Sequence, residues 1–203
     1  MNLIIGVLVS GSGSNLQAIL DSIEDGFIPN AVVGVVISNK KEAYAIERAK
    51  KHGVEALFID PKSFQSPEEF NGAVADELIK RNINLVCLAG YLLLIKGKLL
   101  KEFKGRILNI HPALLPKFGG KGMYGHHVHE SVIKSGEKKS GATIHIVDEK
   151  YDHGSTILQR EIDVFPGETP ENLAKRILEI EHIIYPEALK LIAEDKIKLH
   201  ITK

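Results

Sequence analysis

The 203-residue sequence predicts an α/β fold with a mostly parallel central sheet and helices on both faces. Short, near-continuous apolar runs recur along the first half of the chain, separated by segments whose apolar residues fall at helical spacing. After His111 the rhythm changes. A long loop, two strand-like runs around a polar turn and one long helical pattern predict a C-terminal antiparallel hairpin followed by a long helix.

Residues 3–10 are the first apolar run, and Leu16, Ile19, Leu20 and Ile23 mark a helix over 15–25. The valine-rich stretch 31–37 reads as a strand, 43–52 as a helix and 54–59 as a short strand. Pro67 suits the first turn of a helix over 67–82. Residues 85–89 and 107–110 are two further buried strands with a short helix between them. Pro, Gly and His crowd residues 112–129, which predicts a long loop, and 129–135 reads as helical. Strands over 142–147 and 155–164 flank a polar turn. Thr169 is a candidate N-cap and Pro170 a first helical residue for the last helix, which runs past Glu181 and His182 to Pro186, a residue able to kink it. No linker, repeat or low-complexity segment interrupts residues 1–203, so one domain is expected.

The 26 Lys and Arg balance the 26 Asp and Glu, so the chain has no global basic field of the kind that supports sequence-independent nucleic-acid binding. The single cysteine, Cys87, lies in an apolar run and reads as a buried thiol, and no intrachain disulfide is possible. The amino terminus lacks a basic region and a small-residue cleavage site, and no apolar run reaches the length of a membrane span. A cytoplasmic protein without membrane or nucleic-acid partners is expected.

The densest chemical signal is Ile107-Leu108-Asn109-Ile110-His111-Pro112. Strand side chains alternate, so Asn109 and His111 project from one face, and Pro112 ends the strand. Ligands bind beside the carboxyl ends of strands in open α/β sheets. An amide there can donate to a developing oxyanion and an imidazole can move a proton. The plainer alternative is a strand cap with a satisfied histidine. The loop Ser10-Gly11-Ser12-Gly13-Ser14-Asn15 leads from a strand into a helix, which suits a phosphate or merely a tight turn. It lacks the third small residue of the dinucleotide fingerprint and the Gly-Lys-Ser/Thr of a P-loop, so a small phosphorylated substrate fits better than NAD or ATP.

Other candidates stay open at this level. Asp148, Glu149 and Asp152 lie in one polar turn, and either Asp148 or Asp152 could tune an imidazole. His126, His127 and His129 suit a ligand-lining or surface loop better than a metal, because their spacing is not a zinc pattern. His145 is either a packed histidine or a site wall. Glu181-His182 has the composition of a solvated helical pair.

Six motifs occur together in order: Gly11-Ser12-Gly13-Ser14-Asn15-Leu16, Ser38-Asn39-Lys40, Leu88-Ala89-Gly90-Tyr91, Asn109-Ile110-His111-Pro112-Ala113-Leu114-Leu115-Pro116, Gly141-x-Thr143-x-His145 and Asp152-x-Gly154. With these the chain resembles the phosphoribosylglycinamide formyltransferases, a folate-dependent family of purine synthesis, over residues 3–199. The resemblance implies a Rossmann-like formyltransferase fold. It implies formyl transfer from 10-formyltetrahydrofolate, a co-substrate, to glycinamide ribonucleotide, with no metal. Asn109, His111 and Asp152 fall on the catalytic trio, which selects Asp152 over Asp148. Gly13, Ser14 and Asn15 fall on the substrate-phosphate loop and Glu181 on the acid that contacts the ribose. Leu92, Leu93, Leu94 and Ile95, together with Asn109 and the backbone from Val147 through Asp148 to Tyr151, would border the folate. A monomer or homodimer is expected. A hydrolase relative or a catalytically silent nucleotide-binding module is the alternative, and the regulatory or nucleic-acid-binding domains of other formyl-folate enzymes are not expected at this length.

Overall fold

The computed structural model describes residues 2–199. Seven strands form one sheet in the order β3-β2-β1-β4-β5-β6-β7. They are β1 (Leu3–Val9), β2 (Ala31–Ser38), β3 (Ala56–Phe58), β4 (Leu85–Leu88), β5 (Ile107–His111), β6 (Lys139–Ile146) and β7 (Thr156–Asp163). The first five are parallel, and β6 and β7 join antiparallel. The mostly parallel sheet and the C-terminal antiparallel hairpin are as the sequence predicts.

Helices α1 (Ser14–Glu24) and α2 (Tyr44–Lys51) cover one face, with α5 (His126–Ser135) and α6 (Pro170–Ala193). Helices α3 (Pro67–Lys80) and α4 (Gly97–Glu102) cover the other. Strand alternation divides the core between the two faces: Leu85 and Cys87 of β4 pack with the α1/α6 layer, and Val86 and Leu88 with the α3/α4 layer. Thr169 caps α6 as expected, and Ser66, which the sequence reading did not single out, caps α3 ahead of Pro67. Ser66 Oγ accepts from the Glu69 N–H at 3.2 Å, and Thr169 Oγ1 from the Asn172 N–H at 3.3 Å.

Helix α5 starts at His126, three residues before its expected start. The histidines are only middling helix formers, but Val128, His129 and Val132 bury one face, and tertiary packing overrides propensity. Pro186 does not end α6, which continues to Ala193. Tyr185, one turn past Glu181, is fully buried, and its hydroxyl reaches the carbonyls of Leu88 at 3.1 Å and Leu108 at 3.2 Å. It thus ties the long helix to the adjacent strands β4 and β5. Tyr185→Phe leaves these carbonyls without that donor and should cost about 1–2 kcal/mol, read as a lower midpoint in urea unfolding.

Candidate active site

Strand order reverses between β1 and β4, because β2 and β3 continue on one side and β5 on the other. A cleft of about 780 Å³ opens at the carboxyl ends of these strands, where an α/β sheet offers room for a ligand. Asn109 and His111 project from the α3/α4 face of β5, beyond the last apolar residue on that face, Ile107. Antiparallel register then sets His145 opposite Asn109 and Thr143 opposite His111.

The turn after β6 carries Asp152 back over these residues. Asp152 has a left-handed backbone, φ 53°. Gly154 must be glycine, since a Cβ there would lie 1.8 Å from the Ile146 carbonyl oxygen. Asp152 Oδ1 lies 3.4 Å from Asn109 Nδ2 and 3.6 Å from His145 Nε2. Its Oδ2 lies 3.5 Å from His111 Nδ1 and accepts from the Gly120 N–H at 3.0 Å. Asp148 is occupied elsewhere, accepting from the Lys150 N–H and His153 Nδ1. Asp152 is therefore the acid that meets both Asn109 and His111.

The hydrogen-bond partners set the tautomers. The Phe118 carbonyl can only accept, so His111 carries a proton on Nε2, 2.8 Å away. Any proton it gains or loses is on Nδ1, facing Asp152. The Ile146 carbonyl likewise requires a proton on His145 Nδ1, at 3.0 Å. His145 Nε2 is then the acceptor for Asn109 Nδ2 at 3.1 Å. That bond orients the Asn109 amide and leaves its second N–H on the longer contact with Asp152.

Burial pulls the His111 pKa below its ordinary value, against the opposing pull of Asp152 and the Phe118 carbonyl. Burial acts to raise Asp152, but the His145 and His111 rings in their protonated forms, with the Gly120 N–H, outweigh it and hold the carboxyl below the usual range. The resting pair is a carboxylate beside a readily deprotonated imidazole.

A second polar group also lines the cleft. Ser14 and Asn15, at the start of α1, line it together with Glu181 from α6. Asn15 Nδ2 donates to Glu181 Oε2 at 2.6 Å, whereas the buried Asn15 Oδ1 has no partner among the described residues. The solvated-pair reading fails for Glu181, which is 9% exposed. Arg48 braces the adjoining loop by donating to the Ser12 carbonyl at 2.8 Å.

A protein-family model described as formyl transferase matches residues 3–189. The chain belongs to the formyl transferase family. It is 44% identical to the chloroplastic phosphoribosylglycinamide formyltransferase of Arabidopsis thaliana over 196 residues, which are 96% of this chain and 66% of that protein. It is 38% identical to the phosphoribosylglycinamide formyltransferase of Haemophilus influenzae over 96% of this chain and 89% of that one. The chain spans 14% of the trifunctional purine biosynthetic protein of Chironomus tentans, at 39% identity. Among solved structures, glycinamide ribonucleotide transformylase 1 of Symbiobacterium toebii is similar at 46% identity and a TM-score of 0.92, covering 98% of this chain and 92% of that one.

In this formyl transferase fold Leu92, Leu93, Leu94, Ile95, Val147, Asp148 and Tyr151 all line the cleft. Gly13 is not among the lining residues. It has φ 72° and packs on α2, where an added Cβ would lie 2.6 Å from Ala45 Cβ. His126 and His129 line the cleft, and burial brings His129 down to about 4, with the charges of His126 and His111 acting the same way. Among the described residues the group of three side chains placed to share a metal is Asp21, Glu24 and His52, and none of these borders the cleft. Sequence reasoning left the Gly120 N–H and the Phe118 carbonyl unmentioned, because backbone groups carry no residue signature. His145 carried a signal in its alternation with Thr143, and the structure makes it a wall of the site.

Burial raises the Glu181 carboxyl to about 7 from an ordinary 4.5. The folded chain therefore holds this proton where the unfolded chain has released it. The stability linked to Glu181 is complete below pH 4.5 and is lost as pH rises through 7. That loss amounts to about 3 kcal/mol. Urea unfolding between pH 5 and 8 should show Glu181→Gln gaining stability relative to wild type as pH rises. A constant difference would exclude the linkage.

Proposed function

We propose that this chain transfers the formyl group of 10-formyltetrahydrofolate to the amine of glycinamide ribonucleotide, a step of purine synthesis. The observation that carries the reading is the convergence of Asn109, His111 and Asp152 in a cleft lined by two unlike sets of groups. The first set is polar, Ser14 and Asn15 at a helix amino terminus, with Glu181 bonded to Asn15. The second is an apolar wall, Leu92 to Ile95, joined in the lining by Val147 and Tyr151. The names of the relatives in Haemophilus influenzae and Arabidopsis thaliana support the same substrate.

The phosphate would sit at the amino terminus of α1, where unpaired N–H groups and the helix dipole favour an anion. Ribose hydroxyls would meet Glu181 and satisfy the orphan Asn15 Oδ1. The folate ring system would lie along residues 92–95 and 147–151. The substrate amine then attacks the formyl carbon, a C–N bond forms, and the carbonyl π pair moves onto oxygen. Asn109 exchanges its long 3.4 Å contact with Asp152 for a bond to that oxyanion, while its bond to His145 keeps the amide aimed. Collapse restores the carbonyl and breaks the bond to folate N10. The proton lost by the amine must reach that nitrogen. His111 Nδ1 can take it up with Asp152 as the countercharge and return it.

Purified protein should consume 10-formyltetrahydrofolate, followed by absorbance, only when glycinamide ribonucleotide is present. Consumption without it would make water the acceptor, and none in either case would leave a binding module. Asn109→Ala should lower kcat about a hundred- to a thousandfold, and Asp152→Asn about a hundred- to ten-thousandfold, with the circular dichroism spectrum unchanged. Near-wild-type turnover of either variant would refute its role. Asn15→Ala should raise KM for the ribonucleotide more than KM for the folate.

A further inference from the structure

The apolar wall of the cleft is irregular backbone. After Ala89, whose N–H reaches the Leu8 carbonyl, no backbone–backbone hydrogen bond holds residues 90–95 among the described residues. Yet the segment runs beside the sheet and borders the cleft for much of its length. Two buried side chains hold it instead. Ser10, 4% exposed at the end of β1, accepts the Leu92 N–H on Oγ at 3.1 Å. Its own hydroxyl proton goes to Asn39 Oδ1 at 2.7 Å, which turns the Ser10 lone pairs toward Leu92. Asn71, 2% exposed on α3, donates to the Leu94 carbonyl at 3.3 Å and accepts the Lys96 N–H at 3.2 Å.

These contacts give the Ser38-Asn39-Lys40 motif a task. Ser38 Oγ accepts the Lys40 N–H at 3.0 Å and donates to the Lys40 carbonyl at 2.8 Å, closing a turn at the end of β2 that presents Asn39 to Ser10. Ser10 leads directly into the glycine-rich loop, so one hydroxyl ties the start of that loop to the apolar wall beside it.

We propose that Ser10, oriented by Asn39, and Asn71 are positioning residues for the formyl donor. They fix the backbone of residues 92–96 so that its remaining N–H and C=O groups form a rigid edge for the folate heterocycle. The assignment rests on the formyl-transfer reading, because that reading puts the folate on this wall. Holding an irregular edge in one geometry before binding spares the ligand the cost of ordering it. Removing Ser10 Oγ leaves a partly buried N–H without its acceptor and frees the wall to move.

The test is steady-state kinetics with each substrate varied in turn, together with hydrogen–deuterium exchange. Ser10→Ala should raise KM for 10-formyltetrahydrofolate about tenfold, leave KM for glycinamide ribonucleotide within about twofold, and speed exchange in a peptide spanning 90–96. Ser10→Thr, which keeps the hydroxyl, should restore both readouts. Should Ser10→Ala fail to fold, Asn39→Ala serves instead and should shift the same KM by a smaller factor. Equal changes in both KM values, or no change in either, would overturn the assignment. If the wild type transfers no formyl group, the reading of the reaction fails by itself. Equilibrium binding of 10-formyltetrahydrofolate to wild type and Ser10→Ala then decides the role of Ser10, and equal affinities overturn it.

Discussion

One carboxylate organises the site. Asp152 draws together an amide from β5, imidazoles from β5 and β6, and the Gly120 N–H of the long loop. The two imidazoles are buried and Asn109 and Gly120 are half-buried, and a buried polar group without a partner is costly, so the arrangement is self-enforcing. The left-handed backbone at Asp152 and the tight approach of Gly154 to the Ile146 carbonyl hold the acid over the strand ends. The same contacts limit what each group can do. Phe118 confines His111 to proton exchange at Nδ1, and His145 confines Asn109 to one transferable N–H.

The sheet brings the pieces to one edge. Parallel strands β1, β4 and β5 all end at the cleft, so the glycine loop, the apolar wall and the Asn-x-His pair arrive together although nearly 100 residues separate the first from the last. The turn to antiparallel pairing at β6 adds what a parallel neighbour could not. It runs His145 alongside Asn109 and returns the chain through the acidic turn at the same edge. The long helix α6 closes the other side, with Tyr185 anchored to strand carbonyls and Glu181 one turn earlier facing Asn15. A helix of 24 residues allows one anchor to set the height of a second group with little play.

Much of this was legible without coordinates. Alternation put Asn109 and His111 on one face, and periodicity marked the helices within a few residues. The exceptions have physical causes. The start of α5 depends on burial of Val128, His129 and Val132, which outweighs the middling helix propensity of histidine. Glu181 has the composition of a surface residue, and only its place opposite Asn15, 166 residues away in sequence, makes it a buried acid. Asp148 and Asp152 are alike in composition, and no local rule separates them, because the choice is made by which one the turn aims at β5.

The sequence by itself determined the class of fold, the strand that ends in Asn-x-His-Pro and the small-residue loop before α1, since these follow from side-chain alternation, helical spacing and the stereochemistry of proline and glycine. Tertiary structure alone decided the tautomers of His111 and His145, the raised carboxyl of Glu181, and the tie of Ser10 and Asn71 to the wall at 92–96. Those properties depend on burial and on partners far away in the chain. Burial and distance are set only when the sheet and its helices close on one another.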